Sequence, residues 1–346
     1  MKNNSLIFIQ LFLITAGEGE NKSKYKETLT TTNLERRRIL IQLQTTRKGN
    51  IFELTIPKSW NNRTIAEIFS DKWQVPKKLL HEWRMTKAVL LNGKHVPFSA
   101  ELSSGDKLQI SLFKEQDYGV EPTYIDVEIL YEDDHLLVAN KPAGMKTHPN
   151  DQSDTNTLLN GLAFHLQMKG EKCLIRHIHR LDEDTSGAIL FAKHELAYAL
   201  LSRLLEERKI KRTYWAVVHG IVCVKKGTIN QPIGRDRHHP TRRRISPTGQ
   251  AAITRYELLE ADRKRTLSLI QCQLDTGRTH QIRVHLSSVG YPLAGDTLYG
   301  GQPVFPRQAL HARYLSIPHP FTGETFSVSA PFTDNLFSTF QLAKQD

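Results

Sequence analysis

Cysteine is scarce in this chain, and the sequence carries no signature of a bound cofactor. The 346 residues include only Cys173, Cys223 and Cys272, which are too few and too dispersed for a disulfide framework or a thiolate zinc site. This usage predicts a reducing, cytoplasmic compartment. There is no glycine-rich phosphate loop ending in Lys-Ser or Lys-Thr, and no G-x-G-x-x-G after a strand. The sequence therefore predicts a protein without cofactor or metal, in which His177 and His179 are structural anchors.

A hydrophobic run long enough to cross a bilayer is also lacking. Residues 5–16 form an apolar stretch after Lys2, which has the features of a secretory signal but is too short to span a membrane. Three interpretations stay open for it: a signal, an unstructured leader, or a mis-assigned start. Residues 17–38 are polar and have no apolar period. Residues 1–38 are therefore predicted to be a leader or flexible tail, and no membrane partner is expected.

Basic residues exceed acidic ones. The chain has 47 Lys and Arg against 36 Asp and Glu, a net charge of +11, which favours a polyanionic partner. A hydrophobic content of 39% is ample for a packed core. The length suggests two domains after the tail.

The first domain is predicted over residues 39–113, followed by a polar linker over 114–122. Its expected elements are two strands, two helices and a hairpin, in the order 39–43, 51–56, 64–69, 76–83 and 88–96, with a turn at 47–50. Together with Lys77 and Lys78, this pattern resembles the S-four-type RNA-binding module, named after a ribosomal protein. The alternative is a small packing domain with ordinary surface lysines.

The stretch from His177 to Lys193 reads H-I-H-R-L-D-E-D-T-S-G-A-I-L-F-A-K. Two apolar runs flank an acidic turn, an arrangement that can hold one carboxylate rigidly in a cleft. Asp182 follows the basic Arg180, and a cationic neighbour favours the ionised form of an aspartate. The alternative is an acidic surface turn in which Ser and Gly have only turn-forming roles.

The composite H-R-L-D-x-D-T-S-G resembles the central signature of the RluA-type pseudouridine synthases, which convert uridine within RNA to its carbon-linked isomer. Three further segments fit this family in order: N-K-P-A-G before His148, R-T-Y ending at Tyr214, and T-G-R-T-H-Q-I-R ending at Arg283. The family usually has Lys where this chain has Arg212, which keeps the positive charge. The resemblance covers roughly Val127 to Phe332.

The resemblance implies a role for several matched residues. Asp182 would be the catalytic nucleophile, Arg283 its partner, and Tyr214 the residue beside the target base, well placed to remove a proton. Whether Asp182 attacks the anomeric carbon or assists deprotonation of the sugar stays open. The further substrate contacts predicted are Arg180, Ile282, Arg278 and His280.

The resemblance also implies a fold class. An α+β domain is expected over residues 123–340, with a mixed, mainly antiparallel bisected sheet and flanking helices. The densest basic cluster, G-R-D-R-H-H-P-T-R-R-R over residues 234–244, is predicted to be a flexible loop that grips RNA phosphates. The alternative for this cluster is a solvated charged face. The RNA contacts predicted in this domain are Arg212, Arg235, Arg237, Arg242, Arg243 and Arg244.

Two other functions stay open on sequence alone. One is a non-catalytic RNA-binding protein such as a ribosome-assembly factor, although binding alone needs no nucleophile. The other is a hydrolase acting on RNA or nucleosides. For the synthase interpretation, ribosomal RNA is the favoured substrate and transfer RNA the second choice, and no obligate protein partner is expected.

Overall fold

The computed structural model describes residues 43–151 and 153–344. The predicted tail over residues 1–38 lies outside the described residues, and so does most of the strand predicted at 39–43. Within the described ranges, no helix is long and apolar enough to cross a membrane.

A small sheet with two short helices forms the first part of the described chain. Its elements are β1 (Thr45–Lys48), β2 (Ile51–Thr55), α1 (Ile65–Glu67), which continues into a π-helical turn (Ile68–Lys72), α2 (Lys77–Met85), β3 (Val89–Leu91), β4 (Lys94–His95) and β5 (Lys107–Ser111). The strands lie in the order β1-β2-β5-β3-β4, and every neighbouring pair is antiparallel. A capping box between Thr64 and Glu67 starts α1, and Pro76 precedes α2, so both helices begin within one residue of the starts that the sequence predicted.

The first turn differs from its prediction. Arg47 and Lys48 belong to β1 and pair with Phe52 and Ile51, so the turn is confined to Gly49 and Asn50. Gly49 has a φ of 57°, a left-handed conformation that suits glycine. The charges of Arg47 and Lys48 had suggested a loop, but charged residues also occur in strands that have one face exposed to solvent.

The rest of the described chain forms a large sheet with helices. Its elements are β6 (Glu128–Glu132), β7 (Leu136–Lys141), α3 (Leu158–Met168), β8 (Arg176–His177), β9 (Ser186–Ala192), α4 (Glu195–Glu206), β10 (Lys211–His219), β11 (Lys226–Asn230), β12 (Ile233–Arg235), β13 (Arg243–Ile245), β14 (Ile253–Asp262), β15 (Leu267–Leu274), α5 (Gln281–Ser288), β16 (Leu310–Pro318) and β17 (Thr325–Ser329). Short 3-10 turns occur at Lys58–Trp60, Thr297–Tyr299 and Leu342–Lys344.

The large sheet has the strand order β11-β14-β15-β10-β16-β9-β7-β6, with β17 beside β16 and β8 beside β9. Among its described pairs, only β9 and β16 run parallel, and the others are antiparallel. The expected α+β class with a mixed, mainly antiparallel sheet is confirmed. β12 and β13 pair with each other as a separate hairpin.

The small sheet packs directly on the large one. The ring of Phe52 lies 4.8 Å from the ring of Phe321 and 5.4 Å from that of His135, and Trp73 contacts Phe321 edge-on at 6.0 Å. Buried residues on both sides belong to one hydrophobic cluster. Because aromatic burial contributes strongly to packing, this joint fixes the two sheets to each other.

The parallel pairing of β9 with β16 depends on Gly187. Its φ is 114°, and an added Cβ would lie 2.4 Å from the carbonyl oxygen of Ala312. Only glycine fits such an approach. Since Gly187 lies two residues after the acidic turn, this contact also fixes where the turn meets the sheet.

Replacing Gly187 with Ala should lower the free energy of unfolding by about 3 kcal/mol, because the methyl group adds a backbone clash to an unfavourable φ. The control is Gly170→Ala, where φ is 72° and nothing lies within 4 Å of an added Cβ. That variant should lose only about 1 kcal/mol. Urea unfolding measures both, and equal losses would contradict the close approach to β16.

Candidate active site

A buried lysine holds the backbone of the acidic turn, residues 182–185. The ammonium group of Lys141 donates hydrogen bonds of 2.7–2.8 Å to three carbonyl oxygens, those of Pro142, Met145 and Glu183. Burial, followed by the charge of Arg307, lowers the pKa of Lys141 to about 7. The three acceptors nonetheless match the three hydrogens of an ammonium group. Lys141 therefore acts as a main-chain clamp beneath the turn.

Arg307 clamps the other side of the same turn. Its Nη1 donates to the carbonyl oxygen of Asp184 at 2.9 Å, and its Nη2 donates to the hydroxyl of Ser186 at 2.9 Å. Asp334 balances its charge at 2.6 Å. The turn is thus anchored through main-chain atoms, which leaves its carboxylates unused by the anchoring.

Asp182 is bound by a buried arginine. Nη1 of Arg283, on α5, lies 3.1 Å from Oδ2 of Asp182. The remaining side of the same guanidinium binds both oxygens of the buried Asp296, at 2.7 and 2.9 Å. Burial opposes the charge of Arg283, but Asp296 and Asp182 together raise its pKa above the usual value. Oδ1 of Asp182 accepts no hydrogen bond from any described residue.

His280 directly precedes α5, and its side chain lies beside Asp182. Its φ of 58° is in the left-handed region, which is uncommon outside glycine and typical of constrained sites. The hydroxyl of Tyr299 accepts from the backbone N–H of Arg243 and lies 2.8 Å from Nδ1 of His280. If it donates there, the ring hydrogen is on Nε2, which faces Asp182 at 3.9 Å. Burial lowers the pKa of His280, so the ring is neutral at pH 7.

Tyr214 lies on β10 with its side chain 5% exposed. Burial raises the pKa of its phenol, Arg212 counteracts this effect and Asp182 adds to it. The phenol is therefore neutral at pH 7. Its hydroxyl makes no hydrogen bond to any residue in the described ranges, and the side chain lines the same cleft as Asp182.

One cleft brings the predicted catalytic and substrate-contacting residues together. Its volume is about 1060 Å³, at the upper limit of the roughly 300–1,000 Å³ usual for small-molecule sites. Arg180 lines it as an exposed side chain, whereas the cation in contact with Asp182 is Arg283. Across the described part of the chain, no group of His, Cys, Asp or Glu is arranged to hold a metal ion. The predicted residues along the cleft are Arg180, Asp182, Arg212, Tyr214, Arg278, His280, Ile282 and Arg283.

Only part of the basic cluster over residues 234–244 is the predicted loop: residues 236–242 connect two short strands. β12 and β13 form its two arms, with Ile233 opposite Ile245 and Arg235 opposite Arg243. The apolar pair packs inward, but two isoleucines separated by a long charged run do not reveal a period of two. Arg242 is held by Asp236 at 2.7 Å. The hairpin reaches the site through the N–H of Arg243, which donates to Tyr299.

The other predicted RNA contacts lie at the surface. Arg235, Arg237, Arg242 and Arg244 are exposed on the hairpin, while Lys77 and Lys78 are exposed at the start of α2, away from the cleft.

Four residues of the site were not identified from the sequence: Lys141, Asp296, Tyr299 and Arg307. Lys141 stands in the matched segment N-K-P-A-G, which was the available signal for it, whereas Asp296 and Tyr299 lie after the last matched segment but within the region that the resemblance covers. No local signal marked Arg307, because its partners come from distant parts of the chain.

The structure has a mainly antiparallel sheet and brings a carboxylate, an arginine and a tyrosine together in one basic cleft. The sequence resemblance implied this arrangement for a pseudouridine synthase. Comparison with known proteins agrees. The family model described as RNA pseudouridylate synthase matches residues 135–288, and the model described as the RluD ribosomal pseudouridine synthase N-terminal domain matches residues 52–108. The chain belongs to the RNA pseudouridylate synthase family and is an RNA pseudouridine synthase.

Individual relatives support this assignment. The RNA pseudouridine synthase YhcT of Bacillus subtilis (strain 168) is 46% identical over 286 residues, which is 82% of this chain and 95% of that protein. The ribosomal large subunit pseudouridine synthase D of Pasteurella multocida (strain Pm70) is 36% identical over 82% of this chain and 91% of its own. The solved structure of human RNA pseudouridylate synthase domain containing 1 has a TM-score of 0.52 at 27% identity, covering 63% of this chain and 87% of that one. The enzyme interpretation therefore prevails over the RNA-binding and hydrolase alternatives.

Replacing Lys141 with Met should lower the free energy of unfolding by about 3 kcal/mol, because it removes the donor that binds three carbonyl oxygens at once. Lys146→Met is the control, since Lys146 makes a partly exposed ion pair with Asp154 and should lose less than about 1 kcal/mol. Chemical denaturation measures the difference. A Lys141 variant as stable as the control would show that the clamp does not hold the turn.

Proposed function

We propose that this enzyme converts specific uridines of large-subunit ribosomal RNA to pseudouridine, with Asp182 as the reacting carboxylate. The observation that carries the proposal is the asymmetry of Asp182: Arg283 fixes Oδ2, and Oδ1 has no partner among the described residues. A carboxylate oriented by one oxygen and open at the other is ready to react. The relatives named as ribosomal large subunit pseudouridine synthase D support the choice of RNA.

The target uridine has to leave the RNA stack before its glycosidic bond can reach Asp182. The cleft, at about 1060 Å³, has room for an extruded nucleoside and for parts of its neighbours. Ile282 and Tyr214 both line the cleft and belong to the same apolar cluster. These two side chains offer the apolar surface on which a flipped uracil would pack.

Two routes for Asp182 remain open. In one, Oδ1 bonds to C1′ as the C1′–N1 bond breaks and its electron pair leaves with uracil. In the other, Oδ1 takes the proton from C2′ while the same bond breaks, which leaves a C1′–C2′ double bond. In both routes uracil then turns and C5 bonds to C1′. In the first route the bond between Oδ1 and C1′ breaks as the C5–C1′ bond forms, and in the second Asp182 returns its proton to C2′ as the double bond is lost, so the carboxylate is regenerated in each. The C5 proton must then be removed, and N1 ends with a proton, so the reaction is an isomerisation.

Tyr214 is the proposed group for the C5 proton. Since its phenol is neutral, it serves as a relay: the oxygen accepts the C5 proton as its own hydroxyl proton passes to uracil N1 or to water. The unpaired hydroxyl in the cleft supports this role. Arg283 orients Asp182, and His280, through Tyr299, keeps the start of α5 in place.

The part of the RNA that lies outside the cleft would bind to two basic surfaces of the protein. We place an RNA-binding module at residues 39–113, a linker at 114–122 and the catalytic domain at 123–340. The match of residues 52–108 to an N-terminal synthase domain supports this division. Lys77 and Lys78 lie in the first turn of α2, where the helix dipole disfavours cations and a bound phosphate would relieve the conflict. The exposed arginines of the hairpin extend the surface, and the enzyme would work in the cytoplasm with its RNA.

Replacing Asp182 with Asn should reduce pseudouridine formation by at least roughly 10⁴-fold, the scale expected when a reacting side chain is removed. RNA affinity should change little, because Asn has the same shape. Single-turnover assays with ribosomal RNA and mass-spectrometric detection of pseudouridine measure the rate. The matched control is Asp184→Asn in the same turn, whose exposed carboxylate makes no ion pair with any described residue and whose loss should leave most activity. Substantial activity in the Asp182 variant would rule out the assignment.

Deleting the protein from its host should remove pseudouridine from defined positions of large-subunit ribosomal RNA. Mapping is done on ribosomal and transfer RNA with and without the protein. Wild-type protein should restore the positions and the Asp182→Asn variant should not. Losses confined to transfer RNA would refute the ribosomal substrate while keeping the reaction.

A further inference from the structure

Arg212 is a buried cation without a carboxylate partner. Its side chain lines the catalytic cleft, is 8% exposed, and makes no ion pair or hydrogen bond with any described residue. Its Nε is fully enclosed and has no acceptor. The buried Arg283 and Arg307 differ, since each is bound to a carboxylate.

The described neighbours of Arg212 supply no free counter-charge. His179 is close enough for the Arg212 charge to act on it, and burial followed by that charge lowers its pKa to about 3. The N–H of Leu190 donates to its Nε2 at 3.3 Å, so the ring hydrogen is on Nδ1, which also has no partner. Tyr214 is a neutral phenol, and Asp182 is engaged by Arg283. An unpaired buried charge is costly, so its retention in a cleft implies an anion from outside.

The structure holds Arg212 in place on one side. A Cβ at Gly277 would lie 2.7 Å from Nη1 of Arg212, so the guanidinium rests against the backbone of the turn before α5. Arg212 and Tyr214 are two residues apart on β10 and share one face, with about 6.6 Å between their Cα atoms. The guanidinium is therefore within about one nucleotide of the site at which a flipped uracil would pack.

We infer that Arg212 binds one of the two phosphates that flank the extruded uridine. This inference rests on the proposed function and adds a named ligand group to it. A planar guanidinium can bind two phosphate oxygens at once, and the bound phosphate neutralises the charge that the free protein leaves unpaired. Arg212 is thus a substrate-binding residue whose charge costs stability until RNA arrives.

The first test is the stability of the free protein. Arg212→Met removes an unpaired buried charge and keeps an apolar side chain, so the unfolding midpoint should stay the same or rise. The same variant should bind a ribosomal RNA fragment about tenfold more weakly, and the slope of log affinity against log salt should fall by about one. Arg212→Lys keeps the positive charge but lacks the planar guanidinium, so its RNA affinity should lie between those of the wild type and Arg212→Met. A clear loss of stability or failure to fold would show a structural partner and overturn the inference.

The second test identifies the phosphate. Binding of a synthetic fragment around the mapped uridine is measured with the 5′ or the 3′ phosphate replaced by a neutral methylphosphonate. At one of these two positions, the methylphosphonate should weaken RNA binding by the wild-type protein about tenfold. The same replacement should not weaken RNA binding by the Arg212→Met variant. Gly277→Ala, which displaces the guanidinium, should reduce the same sensitivity. Arg278→Met, at an exposed arginine of the same cleft, is the control and should remain sensitive. Equal losses in wild type and Arg212→Met at both positions would overturn the inference.

The two proposals fail in different ways. A wild-type protein that makes no pseudouridine in any RNA refutes the proposed function, while the salt slope on unmodified ribosomal RNA still tests Arg212. A protein that isomerises uridine but shows additive effects of Arg212→Met and both methylphosphonates keeps its function and loses this phosphate site.

Discussion

The guanidinium of Arg283 lies between two carboxylates that differ in environment. Asp296 is fully enclosed and binds it through two hydrogen bonds, while Asp182 reaches the cleft and takes a single one. The enclosed carboxylate balances the charge of the arginine, so the arginine can orient Asp182 without depending on it for its own neutralisation. The left-handed His280 and the ring of Tyr299, 5.0 Å from the guanidinium carbon, keep the start of α5 in this arrangement.

Three buried arginines around the active site divide into two kinds. Arg283 and Arg307 are neutralised by carboxylates of the protein and maintain geometry, whereas Arg212, which lines the cleft, has no counter-charge among the described residues. Natural proteins commonly accept lower stability at functional sites. Arg283 and Arg307 shape the site, whereas Arg212 is the residue that we infer to bind substrate, although all three are buried to a similar degree.

Much of the fold and of the site could be predicted from short-range patterns. Local patterns placed α2 and the hairpin formed by β3 and β4. The matched motifs supplied Asp182, Tyr214 and Arg283, which the structure brings into one cleft. What the sequence could not reveal depends on contacts between distant segments: the clamp by Arg307, the burial of Arg212, and the hairpin hidden within a charged run. Such contacts leave no local period.

Because the acidic turn is anchored by its carbonyl oxygens, the path of its backbone depends little on which side chains it carries. Lys141 and Arg307 bind carbonyl oxygens, which every amino acid possesses, so position 183, the variable position of the signature, can exchange one side chain for another while the path of the backbone stays the same. The rim of the cleft is therefore free to diversify, for instance in its affinity for a particular RNA shape, without displacing the carboxylate beside it. A catalytic centre built in this way tolerates evolutionary change at its nearest neighbours.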